Sequence, residues 1–161
     1  MPTLNRQLNV IVRCAALYRE KALAGTGGGP YENAYLFYIC RNPGATQEKL
    51  ARELYVNKSS VTRHLSHLET EGFLTRVLDE NDRRSLLVYP TEKAMAILPR
   101  LRAVSEEWES LLTAGLSESE SEMFLNILDK AFANAKSAVR EVAHIPGAGV
   151  PDQRGKHLDR K

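Results

Sequence analysis

Ser59, Arg63, Ser66 and Thr70 follow one another at steps of four, three and four, with Thr62 and His67 beside them. At roughly 100° per residue these six share one side of a helix. All can form hydrogen bonds and none is acidic, which suits base edges and phosphates. Lys58 and Ser60 extend the set at the helix start. Val61, Leu65, Leu68 and Gly72 fall on the other side and would seat the helix on a core. A polar helix face taken alone is an ordinary solvated surface, so the flanking sequence has to decide between the readings.

That flank is organised. Thr46 can N-cap a short helix whose buried side is Leu50, Ala51 and Leu54. Tyr55 and Val56 make a tight turn, Asn57 is a good N-cap for the next helix, and Gly72 suits the C′ position that ends it. Two helices joined so closely form a helix-turn-helix, whose second helix enters the major groove. FLTRVL and SLLVY then read as strands around the charged turn Asp79–Arg84. Residues 46–91 therefore predict a winged helix-turn-helix.

The segment resembles the DNA-binding lobe of the MarR family of bacterial transcription regulators. The residues that carry the likeness are Thr46-Gln47 with Leu50-Ala51, the run Lys58 to Arg63, Leu68-Glu69 with Gly72, Asp82-Arg83-Arg84, and Thr91-Glu92-Lys93. With the flanking helices it covers about residues 4–143. The sequence departs from the pattern twice, having Tyr55 and Ala94 where the family usually has Gly. The resemblance implies a DNA-binding repressor acting as a homodimer. It also implies that Asp82 orients a wing arginine and that Arg84, with Arg83 as the alternate, enters the minor groove.

Composition says little about nucleic acid. The net charge is +2, from 22 basic and 20 acidic side chains. Any positive surface must arise from arrangement. The stretch 103–129 contains seven acids and no Lys or Arg, so it should face away from DNA. Without a run of about 20 apolar residues or a signal peptide, a cytoplasmic protein is expected. Cys14 and Cys40 are too few for a disulfide scaffold. No Ser/His/Asp or Cys/His arrangement or paired-carboxylate motif appears, and the run Gly25–Gly29 lacks the Lys-Ser/Thr of a phosphate loop. The chain is not expected to be an enzyme, and no cofactor or metal is expected.

The remainder should be helical, giving a mainly α fold with a small β-wing. Leu4, Leu8, Ile11, Ala15, Tyr18 and Ala22 form one seam, and Ala94, Ile97, Leu101, Val104, Trp108 and Leu111 another. The glycine-rich run predicts a mobile loop, with Pro30 in the first turn of a buried second helix that ends at Asn42-Pro43-Gly44. Pro99 should bend the helix that Thr91 caps, and Ser117 with Glu120 reads as a capping box opening the last helix. The division expected is 1–42 for the N-terminal helices, 43–91 for the winged lobe, 92–145 for the C-terminal helices and 146–161 for a disordered tail. Apolar stripes on the first and last helices suggest a homodimer on a pseudo-palindromic operator.

Two sensing sites are also open. Tyr18, Tyr31, Tyr35 and Tyr38 could line a site for a small aromatic or phenolic effector, or could be plain core. Cys14 and Tyr18 are similar to the sensing helix of hydroperoxide-responsive members, although a small residue in a helix interface would look the same. The alternative to a repressor is a winged-helix module that binds protein rather than DNA.

Overall fold

The computed structural model describes residues 3–83 and 85–143, with side chains through residue 140. The chain divides into two units, Met1–Leu112 and Thr113–Lys161. The first contains α1 (Leu4–Ala22), α2 (Asn33–Arg41), β1 (Ala45–Thr46), α3 (Gln47–Glu53), α4 (Lys58–Thr70), β2 (Leu74–Leu78), β3 (Leu86–Pro90) and α5 (Glu92–Leu112). It is mainly helical with one small antiparallel sheet, as expected.

The core of this unit gathers Leu36 and Ile39 of α2, Leu50 of α3, Leu65 of α4, Val88 of β3 and Leu101 of α5, all essentially inaccessible. Burying a side chain of this size contributes roughly 1.5–3 kcal/mol. The amphipathic patterns therefore set which face of each helix turns inward. Pro99 lies within α5, while Leu98 and Leu101 on either side of it are still buried.

Local chemistry ends each element of the motif. The side chain of Thr46 accepts from the Lys49 amide at the start of α3, and that of Asn57 accepts from the Ser60 amide at the start of α4. Both helices finish in the same way. The Val56 amide reaches back to the Ala51 carbonyl (3.1 Å) and the Phe73 amide to the Leu68 carbonyl (2.8 Å), each across a residue at positive φ. At α4 that residue is Gly72 (φ 74°), and at α3 it is Tyr55 (φ 54°). The tyrosine keeps the turn geometry that glycine adopts without strain.

Two features differ from the expectation. A two-residue strand, Ala45–Thr46, pairs with β3 (Ala45 opposite Val88), giving the sheet order β1-β3-β2. So short a strand leaves no alternation to read. Pro30 does not enter α2, because the Glu32 amide bonds to the Gly29 carbonyl and closes a turn, so the helix starts at Asn33. The glycine-rich run is a loop, as expected, and within it a Cβ at Gly27 would lie 2.6 Å from the Glu71 carboxylate and 3.5 Å from the Phe73 ring.

In the second unit, α6 (Glu118–Ala143) opens with the capping box: the Ser117 amide donates to Glu120 (2.8 Å) and the Glu120 amide to Ser117 Oγ (3.3 Å). Among the described residues no helix is long and apolar enough to cross a membrane. The segment expected to be a tail, 146–161, lies outside the described residues.

Candidate nucleic-acid interface

α4 is held from beneath by Val61, Leu65 and Leu68, each fully buried. Its other side exposes Lys58, Ser59, Thr62, Arg63, His67 and Thr70, with Ser60 half-buried near the cap. The periodicity thus separates the two sides as expected. Ser66 is the exception. It accepts from Arg76 of β2 (3.4 Å), so it faces the wing root and is drawn off the polar face.

The side chains at the start of α4 are pre-arranged. Ser59 Oγ donates to Asn57 Oδ1 (2.8 Å), and Thr62 Oγ1 donates to the Lys58 carbonyl (3.0 Å) and lies 3.3 Å from Gln47 of α3. Lys58 Nζ pairs with Glu48 at 2.9 Å, and this contact, mainly as a hydrogen bond, holds the Glu48 carboxyl below its ordinary pKa. Both partners are solvated, so separating them for a phosphate costs little. Arg63 is exposed at the centre of the face.

The far end of α4 is bound to three other elements. Arg76 of β2 makes a charge-assisted pair with Glu69, with Nε at 3.0 Å, and this bond lowers the Glu69 pKa. Thr91 Oγ1 donates to the Gly72 carbonyl (2.7 Å) and Lys93 Nζ to the Glu71 carbonyl (2.6 Å), so the start of α5 caps the end of α4. From the turn before α2, the buried Glu32 carboxylate meets Nδ1 of His67 at 2.9 Å and Nδ1 of His64 at 3.3 Å. The signals for these contacts were absent from local spacing, since Glu32 stands 35 residues from His67 and Lys93 stands 22 from Glu71.

The wing tip is tied to itself. Ser85 donates from its amide to the Asp82 carbonyl and from Oγ to the Asp82 carboxylate, both at 2.8 Å, while the Asn81 amide donates to Asp79 (2.9 Å). Asp82 and Arg83 are exposed, and Arg84 lies outside the described residues.

The residues weighed as sensors stand apart from this face. Cys14 is exposed on α1. Tyr18 stacks against Trp108 (5.7 Å between centroids) and donates to Glu107 at 2.9 Å, a bond that raises the phenol's pKa. Tyr35 is buried beside His64, Tyr38 packs against the core, and Tyr31 is exposed. A cleft of about 290 Å³ between α2 and α5 is lined by other residues, among them Phe37, Arg41, Arg102 and Glu106. Among the described residues no group of three His, Cys, Asp or Glu side chains is arranged to hold a metal ion.

A second helix seated on a core, with a polar outer face and a two-stranded wing beside it, defines a winged helix-turn-helix protein of the DNA-binding kind. The MarR family profile matches residues 34–85. The HTH-type transcriptional regulator YybA of Bacillus subtilis (strain 168) is 32% identical over 100 residues, 62% of this chain and 67% of its own length. A crystal structure of MarR superposes with a TM-score of 0.77 at 30% identity, covering 87% of this chain and 93% of that one. A structure from Listeria monocytogenes, described as a MarR-family transcriptional regulator with 26mer DNA, gives 0.74 at 26% identity, covering 83% and 89%. The chain belongs to the MarR family and is a DNA-binding transcription regulator of the winged helix-turn-helix type. That family regulates transcription and is not one of enzymes.

Proposed function

We propose that the protein is a homodimeric repressor that reads a pseudo-palindromic operator in double-stranded DNA. In this reading Lys58, Ser59, Ser60, Thr62, Arg63 and His67 of α4 serve the major groove. Asp82, Arg83 and Arg84 serve the wing at the minor groove. The observation that carries it is the exposed, acid-free polar side of α4 over fully buried Val61, Leu65 and Leu68.

A second copy supplies what one chain leaves uncovered. Leu4 is 70% exposed on α1, and Leu8 and Leu17 are also accessible, as are Phe124, Ile127 and Phe132 on α6. A two-fold dimer covering such faces would present two copies of α4, with half-sites about one helical turn apart. Residues 1–42 and 92–145 then supply the dimerisation helices and the central helix, 43–91 is the winged lobe, and the protein works in the cytoplasm.

Release would come from a small aromatic or phenolic ligand near Tyr18, Tyr31, Tyr35 and Tyr38, or from oxidation of the Cys14 thiol by a hydroperoxide. The accessibility of Cys14 supports the second route.

Fluorescence anisotropy across a salt series tests the reading, using a duplex that the protein itself selects from a randomised pool. Binding should be tight, should weaken steeply with salt as Lys and Arg contacts are lost to counterions, and should saturate at two chains per duplex. Selection of no preferred sequence would leave the protein-binding module as the better account.

A further inference from the structure

Among the described residues Glu32 is the only charged residue that is buried, at 4% exposure. It is the N-cap residue of α2, at the end of the glycine-rich turn, but its side chain makes no capping bond to that helix. Its carboxylate turns instead toward three partners. The Gly29 amide donates to Oε2 (2.8 Å), His64 Nδ1 lies 3.3 Å from Oε1, and His67 Nδ1 lies 2.9 and 3.1 Å from the two oxygens. A Cβ at Gly29 would lie 3.0 Å from Oε2, so a side chain there would press the carboxylate aside by a few tenths of an ångström.

A carboxylate accepts hydrogen bonds and has none to give, so both imidazoles present Nδ1–H to it. The two rings then differ. His64 is largely covered, with Tyr35 against it at 4.9 Å between centroids. His67 keeps half of its side chain exposed on the outer side of α4. With Nδ1 committed to Glu32, Nε2 is the ring nitrogen left for a ligand, and in a neutral ring it is a bare acceptor.

We propose that Glu32 is a positioning and specificity-determining residue for DNA reading, which fixes the ring and tautomer of His67 so that Nε2 accepts from a base. An acceptor in the major groove matches the amino groups of adenine and cytosine and mismatches guanine N7 and O6 or thymine O4. This rests on the reading of α4 as the groove helix, with His67 on its outer face. Glu32 itself touches no DNA in this proposal, and its influence on the groove passes through the Nδ1–H of His67.

The experiment uses the full chain in mildly alkaline buffer, with Glu32→Gln, Glu32→Asp, His67→Gln, the double variant Glu32→Gln/His67→Gln, and Arg63→Ala. Each is assayed on the duplex selected by the parent protein and on a scrambled duplex, and each repeats the selection. At the position that His67→Gln disturbs, the parent should favour adenine or cytosine on the strand that His67 faces. Glu32→Gln should weaken binding to the selected duplex about tenfold, the size of one good base contact, and leave the scrambled duplex unaffected. It should also shift that position toward guanine or thymine, because the new amide can donate to Nδ1 and move the ring proton to Nε2. Glu32→Asp, still a carboxylate, should keep the amino preference whatever its affinity. The double variant should bind no more weakly than His67→Gln alone.

An unchanged base preference in Glu32→Gln, or additive losses in the double variant, overturns the proposal. If Arg63→Ala weakens binding and Glu32→Gln does not, Glu32 has no such role while the groove assignment stands. If neither variant affects binding, the groove assignment falls and this proposal with it.

Discussion

In the proposed reading α4 and the wing meet the same duplex, yet they are held in different ways. α4 rests on three fully buried residues, is capped at both ends, and is bound laterally by Glu32, Arg76 and Lys93. The wing joins the body at its root, through the pairing of β3 with β1, the buried Leu74 and Val88, and the Arg76–Glu69 pair. Further out, Val77 and Leu78 are 52% and 60% exposed, and at the tip the Asn81 amide bonds to Asp79 and Ser85 Oγ to Asp82. The groove with the distinct base code is thus assigned the element fixed in advance, which lowers the ordering cost of binding. The degenerate minor groove is assigned the element whose outer half is exposed.

The strongest way to break this contrast is to remove the floor beneath α4. Leu65→Ala should cost about 2–5 kcal/mol in denaturant unfolding, since the side chain is fully buried. A loss well under that range would mean that α4 is not anchored by its core face.

Next come the two arginines. Arg63→Ala should cost on the order of 1–3 kcal/mol in operator binding, concentrated at one position per half-site, with the melting temperature unchanged. Arg83→Ala should cost less, act evenly across sequences and flatten the salt slope by about one. Salt slopes and positional profiles that came out the same for both would erase the distinction between helix and wing.

The two helix ends sharpen the comparison further. A Cβ at Gly72 meets open space, so Gly72→Ala should cost only the backbone penalty of positive φ, about 1–2 kcal/mol. Tyr55→Gly should move stability upward by a smaller amount, because it relieves the same backbone conformation while losing the ring's contacts. Thermal melting of both variants checks the opposite signs.

The smallest effect is at the wing root. Arg76 depresses the Glu69 pKa in the folded chain, so the pair's stabilisation is present above the ordinary carboxylate range. It is lost as pH falls through the lowered folded value. The melting difference between the parent and Arg76→Ala should therefore shrink on acidification, and a difference that grew would reverse the assignment.

What could be read in advance was whatever depends on near neighbours. The caps of Thr46, Asn57 and Ser117, the αL glycine at 72 and the buried stripe of α4 each involve partners within a few residues, so sequence order places them in space. The same holds for Ser59, Thr62 and Arg63, whose common exposure follows from helical period alone. β1 was not legible because two residues carry no alternation and its partner, Val88, lies far along the chain.

The sequence by itself determined that a winged helix-turn-helix would form and which side of α4 would face outward, because periodicity and capping act over one or two turns. Only the tertiary structure decided what governs that outward side. It withdrew Ser66 toward Arg76, carried Lys93 to the end of α4 and brought the buried Glu32 under His67. Those contacts join residues that no local rule relates. They exist because packing the shared core brings the turn before α2, the wing root and the start of α5 up against one helix.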